Sequence, residues 1–176
     1  MCKGIILYQS KYGATKKYAD WLTEETGYDC VETKKAKASQ LQNYDVIILG
    51  GGVYASGIAG LHFLKKNISA FHNKTIAVFA VGASPYDENA ITQIKEMHFK
   101  DKLINVPLFY CRGAWDEEKM TFGDRTLCRM LQKAIAKQNP NEYETWQKAL
   151  MCAVGKKCDW TDKTYLKPIL KFIAER

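Results

Sequence analysis

Short apolar runs alternate with amphipathic stretches along the whole chain, and this alternation restricts the fold more than any other feature. Gly4-Ile5-Ile6-Leu7-Tyr8, Val46-Ile47-Ile48-Leu49, Thr75-Ile76-Ala77-Val78-Phe79-Ala80-Val81 and Val106-Pro107-Leu108-Phe109-Tyr110 are nearly continuous apolar runs. Strands covered on both faces read this way, as in parallel sheets. Tyr28-Asp29-Cys30-Val31-Glu32 is more polar and suits an edge strand. Between these runs lie stripes at the i, i+3, i+4, i+7 spacing of helices. Residues 15–26 carry Ala19 and Leu22, and residues 60–71 carry Leu61, Leu64, Ile68 and Phe71. Residues 124–137 carry Leu127, Met130, Leu131, Ala134 and Ile135, and residues 162–175 carry Leu166, Ile169, Leu170 and Ile173. Each stripe is expected to face the core, and Pro168 predicts a kink or a late start in the last helix. Strand–helix alternation of this kind predicts an α/β fold, a doubly wound five-stranded parallel sheet with helices on both faces, and five strands allow the order 2-1-3-4-5.

A chain of 176 residues suits one domain over 1–176, and 47% hydrophobic residues supply a core without disulfides or metals. The six cysteines form no Cys-x-x-Cys pair, so a zinc module is not expected. Cys111 falls in a strand pattern and reads as core; Cys152 and Cys158, in a loop-like stretch, read as reduced thiols. No apolar run reaches the ~20 residues of a membrane helix. A strand pattern begins at once, with no signal peptide ahead of it, so a cytoplasmic location is expected. The net charge of +7 favours acidic partners. Its densest clusters, Lys34-Lys35-Ala36-Lys37 and Lys156-Lys157, lack interleaved aromatics and read as solvated surface, not as a nucleic-acid site.

In a sheet of this order, ligands sit at the carboxyl ends of the strands, where strand order reverses between strands 1 and 3. After strand 1 comes Gln9-Ser10-Lys11-Tyr12-Gly13-Ala14-Thr15-Lys16, leading straight into a helix. Ser10 and Thr15 offer hydroxyls, Gly13 permits a tight turn, and the helix N-terminus favours an anion such as a terminal phosphate. The spacing is not that of a P-loop; the plain alternative is an ordinary turn capped by Ser10. After strand 3 comes Gly50-Gly51-Gly52-Val53-Tyr54-Ala55-Ser56-Gly57. Its glycines let backbone approach a flat ring, and Tyr54 is placed to stack on it. Its match to a dinucleotide fingerprint is loose, because it follows strand 3 and lacks the acidic residue ~20 positions on. After strand 4, Gly82-Ala83-Ser84-Pro85-Tyr86 forms a small-residue loop at the same end, with Tyr86 as a second stacking candidate.

Ser10-Lys11-Tyr12-Gly13-Ala14-Thr15 resembles the flavodoxin phosphate loop, [Thr/Ser]-x-Thr-Gly-x-Thr, and departs from it at Tyr12. Gly51-Gly52-Val53-Tyr54-Ala55, Phe109-Tyr110-Cys111-Arg112-Gly113-Ala114, Asp124-Arg125 and Asp159-Trp160 resemble a flavodoxin subfamily that includes menaquinone-dependent protoporphyrinogen dehydrogenase. The resemblance implies a non-covalently bound FMN. Ser10, Lys11, Tyr12, Gly13, Ala14 and Thr15 would hold its phosphate. Gly52, Val53, Tyr54 and Ala55 would lie on one side of the ring, and Gly82, Ala83, Ser84 and Tyr86 on the other. It also implies electron transfer to a redox partner protein or a quinone acceptor, with protoporphyrinogen dehydrogenation as the alternative role. No Ser-His-Asp, Cys-His or paired-carboxylate arrangement points to other chemistry. A signalling receiver is excluded, because strand 3 ends Leu49-Gly50 where an aspartate is needed. Residues 138–160 form a long insert with Tyr143, Trp146, Leu150, Met151 and Trp160. They are expected to cover the sheet edge; contact with a membrane or a large flat substrate is the other reading.

Overall fold

The computed structural model describes residues 3–54 and 57–176. In chain order the regular elements are β1 (Gly4–Gln9), α1 (Ala14–Thr26), β2 (Asp29–Glu32), β3 (Val46–Tyr54), β4 (Gly57–Ile58), α2 (Leu61–Asn67), β5 (Thr75–Gly82) and α3 (Glu88–His98). Then come β6 (Leu108–Arg112), β7 (Ala114–Asp116), α4 (Phe122–Ile135), α5 (Thr145–Ala153), β8 (Lys157–Asp159) and α6 (Lys167–Ala174). The main sheet runs β2-β1-β3-β5-β6 with every neighbour parallel, and the two-residue β4 folds back antiparallel on the end of β3. Setting β4 aside, this is the order 2-1-3-4-5, with the polar strand β2 at one edge as its composition requires.

Alternation along each strand sorts its side chains into two layers. Ile5, Leu7, Ile47, Leu49, Val78, Ala80 and Leu108 pack with Leu61 and Leu64 of α2 and Ile91 and Ile94 of α3. Ile6, Val46, Ile48, Ala77, Phe79, Val81 and Cys111 pack on the other face with Tyr18, Ala19 and Leu22 of α1 and Ile169 of α6. Each fully buried Ile or Leu stabilises the fold by roughly 1.5–3 kcal/mol. The last helix starts late: a 3-10 turn over Lys163–Leu166 precedes α6, and Pro168 sits in its first turn, where no amide hydrogen is required. Among the described residues, no helix is long and apolar enough to cross a membrane.

Several expectations need correction. Strand β3 extends through Gly50, Gly51 and Gly52 instead of ending at Leu49. These glycines pair with Tyr8 and Gln9 on one side and with Phe79, Ala80 and Val81 on the other. A β-carbon at Gly51 would lie 2.1 Å from the Ala59 carbonyl oxygen, so its missing side chain serves the packing of the chain returning through β4. The second correction concerns residues 114–159, which leave the domain as an arm. Strands β7 and β8 pair antiparallel at its base, and α4 and α5 lie between them. The insert therefore begins near Ala114, not at 138; Cys152 lies in α5 and Cys158 in β8. No residue of α4 or α5 joins either core layer, while Trp160, the last residue of the expected insert, meets the end of the edge strand β6 through the Gly113 carbonyl and the Arg112 guanidinium. The α4 stripe, expected to face the core, faces solvent instead: Leu127 is 55% exposed, Met130 64% and Leu131 40%. Only Ile135 of that stripe is buried.

Candidate functional site

Strand register brings the predicted loops together. Tyr8 and Gln9 lie beside Gly50 and Gly51, Gly52 lies beside Val81, and Gly82 lies beside Arg112. The carboxyl ends of β1, β3, β5 and β6 therefore stand side by side, and the segments at 10–13, 52–54 and 82–86 leave the sheet on one edge. A hollow of about 740 Å³ lies at the opposite end, lined by the starts of β5 and β6 with Lys74, Lys102 and Phe172, and none of these loops reaches it.

The first loop turns at Gly13, whose φ of +100° is one that side-chain-bearing residues rarely adopt. Ser10 does not cap the helix. Its hydroxyl accepts from the Gly13 amide at 3.0 Å, within the turn. Helix α1 begins with no side-chain cap and no acidic residue in its first turn. The first amides of a helix have no intrahelical acceptor, so this end carries partial positive charge. Thr15 is buried in that first turn, whereas Lys11 is exposed and Tyr12 half-buried. Both Lys11 Nζ and Tyr12 OH donate to one oxygen of Asp124, in the first turn of α4. The hydrogen bond to Asp124 raises the Lys11 pKa, and the bonds from Lys11 and Tyr12 hold Asp124 below the usual carboxylate range.

Tyr54 closes back over Gly52, where a β-carbon would meet its ring at 2.8 Å. Burial raises the Tyr54 phenol above its ordinary range. Val53 is half-buried on β3, and Ala55 lies outside the described residues. In the third loop Tyr110 donates to the Ser84 carbonyl at 2.6 Å, and Arg112 Nε donates to the Ala83 carbonyl at 3.2 Å. Tyr86 is exposed, its ring 6.1 Å from that of Tyr110.

The family model described as a flavodoxin domain matches residues 5–142. The chain belongs to the flavodoxin family. Among solved structures, this flavodoxin domain is similar to the Trp repressor binding protein from Bacillus subtilis, at 14% identity and a TM-score of 0.50 over 63% of this chain and 85% of that one. Other similar structures are a Lactobacillus acidophilus flavoprotein in complex with FMN (20% identity, TM-score 0.43, 64% of this chain and 93% of that one) and two-electron reduced Megasphaera elsdenii flavodoxin (17%, 0.43, 61% and 82%). No curated protein matches the flavodoxin domain.

Three residues at this edge were not singled out as site residues from sequence. Asp124 reaches the first loop from 113 positions away. Arg112 binds the third loop and lies 4.3 Å from the centre of the Trp160 ring. Thr145, at the start of α5, lies beside Asp87 and lowers its pKa. The arm thus touches the site on both sides, through Asp124 and through Thr145. Arg112 and Asp124 stand in segments that carried the subfamily resemblance but were given no role by it; long-range pairing supplies the role, and nothing local marks Thr145.

Proposed function

We propose that this flavodoxin domain binds FMN non-covalently at the carboxyl ends of β1, β3 and β5 and passes electrons through it. One observation carries the reading: an uncapped helix N-terminus free of acidic residues, at the point where strand order reverses, within a flavodoxin-family match. The donor set suits a phosphate ester: backbone amides of the first turn, the Thr15 and Ser10 hydroxyls and the Lys11 ammonium. The bound FMN would supply one- and two-electron chemistry at its ring. The chain supplies position: Gly52 and Tyr54 form one wall, and the Gly82, Ala83, Ser84 and Tyr86 loop, braced by Tyr110 and Arg112, forms the other.

The acceptor side follows from the arm. The exposed face of α4 carries Leu127, Met130 and Leu131, with Lys133 on one flank. An outward apolar stripe with a cation at its border, on a chain of net charge +7, is complementary to an anionic membrane surface. We place peripheral membrane contact there, with a quinone acceptor reached from the bilayer; a redox partner protein is the competing occupant. The narrower role, protoporphyrinogen dehydrogenation, is supported by the resemblance at Gly51-Gly52-Val53-Tyr54-Ala55 and Phe109-Tyr110-Cys111-Arg112.

Thr15→Ala tests the phosphate assignment. Losing a hydrogen bond to a charged group costs roughly 1.5–3 kcal/mol, about one to two decades in affinity. FMN affinity should fall by that amount and riboflavin affinity by less than about twofold, since riboflavin has no phosphate. Equal losses for both ligands would show that this loop does not hold phosphate.

A further inference from the structure

We propose that Asp124 is the internal counter-ion of the phosphate loop, an acceptor that an incoming phosphate must displace, and that it thereby sets how strongly the site prefers phosphate-bearing over phosphate-free flavins. The inference rests on the FMN reading above. Donors that a phosphate would use are already taken by the chain itself. Lys11 Nζ and Tyr12 OH are on the Asp124 carboxylate, and the Gly13 amide is on Ser10 Oγ.

Asp124 is firmly held in place. Thr121 caps α4, its hydroxyl accepting from the Asp124 amide, and the Thr121 amide donates to Tyr12 OH at 3.3 Å. Lys11 and Tyr12 lower the Asp124 pKa, so the carboxylate is ionised at neutral pH. Phosphate binding then means transferring Lys11 and Tyr12 from one anion to another while the first stays nearby. For a unit charge ~6 Å from the phosphate at an effective dielectric of ~40, this costs about tenfold in affinity per phosphate charge. A neutral ligand is indifferent to it. Because Asp124 belongs to the first turn of α4, the same exchange loosens the start of the helix that carries the exposed apolar face.

The experiment titrates the wild-type chain, Asp124→Asn and Asp124→Ala with FMN and with riboflavin, following flavin fluorescence, with thermal midpoints as the folding control. FMN, whose phosphate carries about 1.5–2 charges at neutral pH, should bind about 30- to 100-fold tighter to both variants, and riboflavin within about twofold of wild type. Unchanged or weaker FMN binding in the variants overturns the inference, as does equal tightening of both ligands. A wild-type chain that binds FMN should also show faster amide hydrogen exchange in residues 122–128 when FMN is present, a readout needing no variant; unchanged exchange there counts against displacement. A wild-type chain that binds neither flavin overturns the FMN reading, and this inference with it.

Discussion

Tyr18→Phe removes one oxygen from the interior and should cost more than its size suggests. Tyr18 is fully buried between α1 and the sheet. Its hydroxyl donates to the Arg112 carbonyl at 2.6 Å and accepts from the Asp162 amide at 3.0 Å. It therefore ties α1 to the end of β6, where Arg112 braces the third loop, and to the chain entering α6. Burial raises the phenol well above its ordinary pKa, so it remains a donor through the neutral and mildly alkaline range. Phenylalanine keeps the edge-on contacts with Trp21 at 5.4 Å and Tyr165 at 6.5 Å. What is lost is the pairing of two buried backbone groups. Leaving a buried group unsatisfied costs roughly 1–3 kcal/mol, and the carbonyl keeps a second lone pair, so about 2–3 kcal/mol in all is expected. For a domain of this length that is a fall of about 5–10 °C in Tm. Urea titration and thermal melts at pH 7 and pH 9 should give the same loss. Tyr44→Phe, which removes an exposed bond to Asp29, should cost under about 0.5 kcal/mol. A Tyr18→Phe chain within about 0.5 kcal/mol of wild type would refute the claim that this hydroxyl holds the three segments together.

Asp159 gives an acid-range prediction. The Thr161 hydroxyl and the Lys17 ammonium lower its pKa to about 2. A depressed carboxylate contributes stability that is present above its unfolded value near ~4 and is lost as pH falls toward 2. Its side chain is 58% exposed, so solvent screening limits the contribution to at most ~1 kcal/mol. The stability gap between wild type and Asp159→Asn should be that size at pH 6 and close between pH 4 and pH 2; a gap independent of pH contradicts the assignment. The arm is tested with Leu127→Glu combined with Met130→Glu. The double variant should keep the wild-type Tm and lose sedimentation with anionic phospholipid vesicles, while neither chain sediments with neutral vesicles. Wild type that ignores anionic vesicles removes the membrane from the account and leaves a partner protein on that face.

The sheet was legible because each of its buried strands is a run of apolar residues that only a doubly covered position tolerates. Alternation gave the doubly wound sheet and five strands allowed the order 2-1-3-4-5; the placement of the first and third loops followed from that order. What was not legible depends on contacts distant in sequence. Helix α3 was missed although Ile91 and Ile94 lie one turn apart, because polar residues dilute its stripe, and its Asp87 cap is a clearer signal than its apolar pattern. Gly50 and Gly51 looked like a loop because glycine suits loops; register and the close approach of Ala59 make them strand. Leu127, Met130 and Leu131 looked like core because a periodic stripe names a face without saying what it faces. Net charge misleads in the same way. Lys11 is paired with Asp124, and Lys16 with Asp20 at 2.6 Å, so +7 over the chain is not a bare positive field at the loop.

The flavin content of the purified protein tests the central claim most directly. The chain should purify yellow, or take up added FMN to one equivalent with quenching of its fluorescence, and denaturation should release FMN intact. A colourless chain that neither quenches added FMN nor retains it through gel filtration would contradict the account at its foundation.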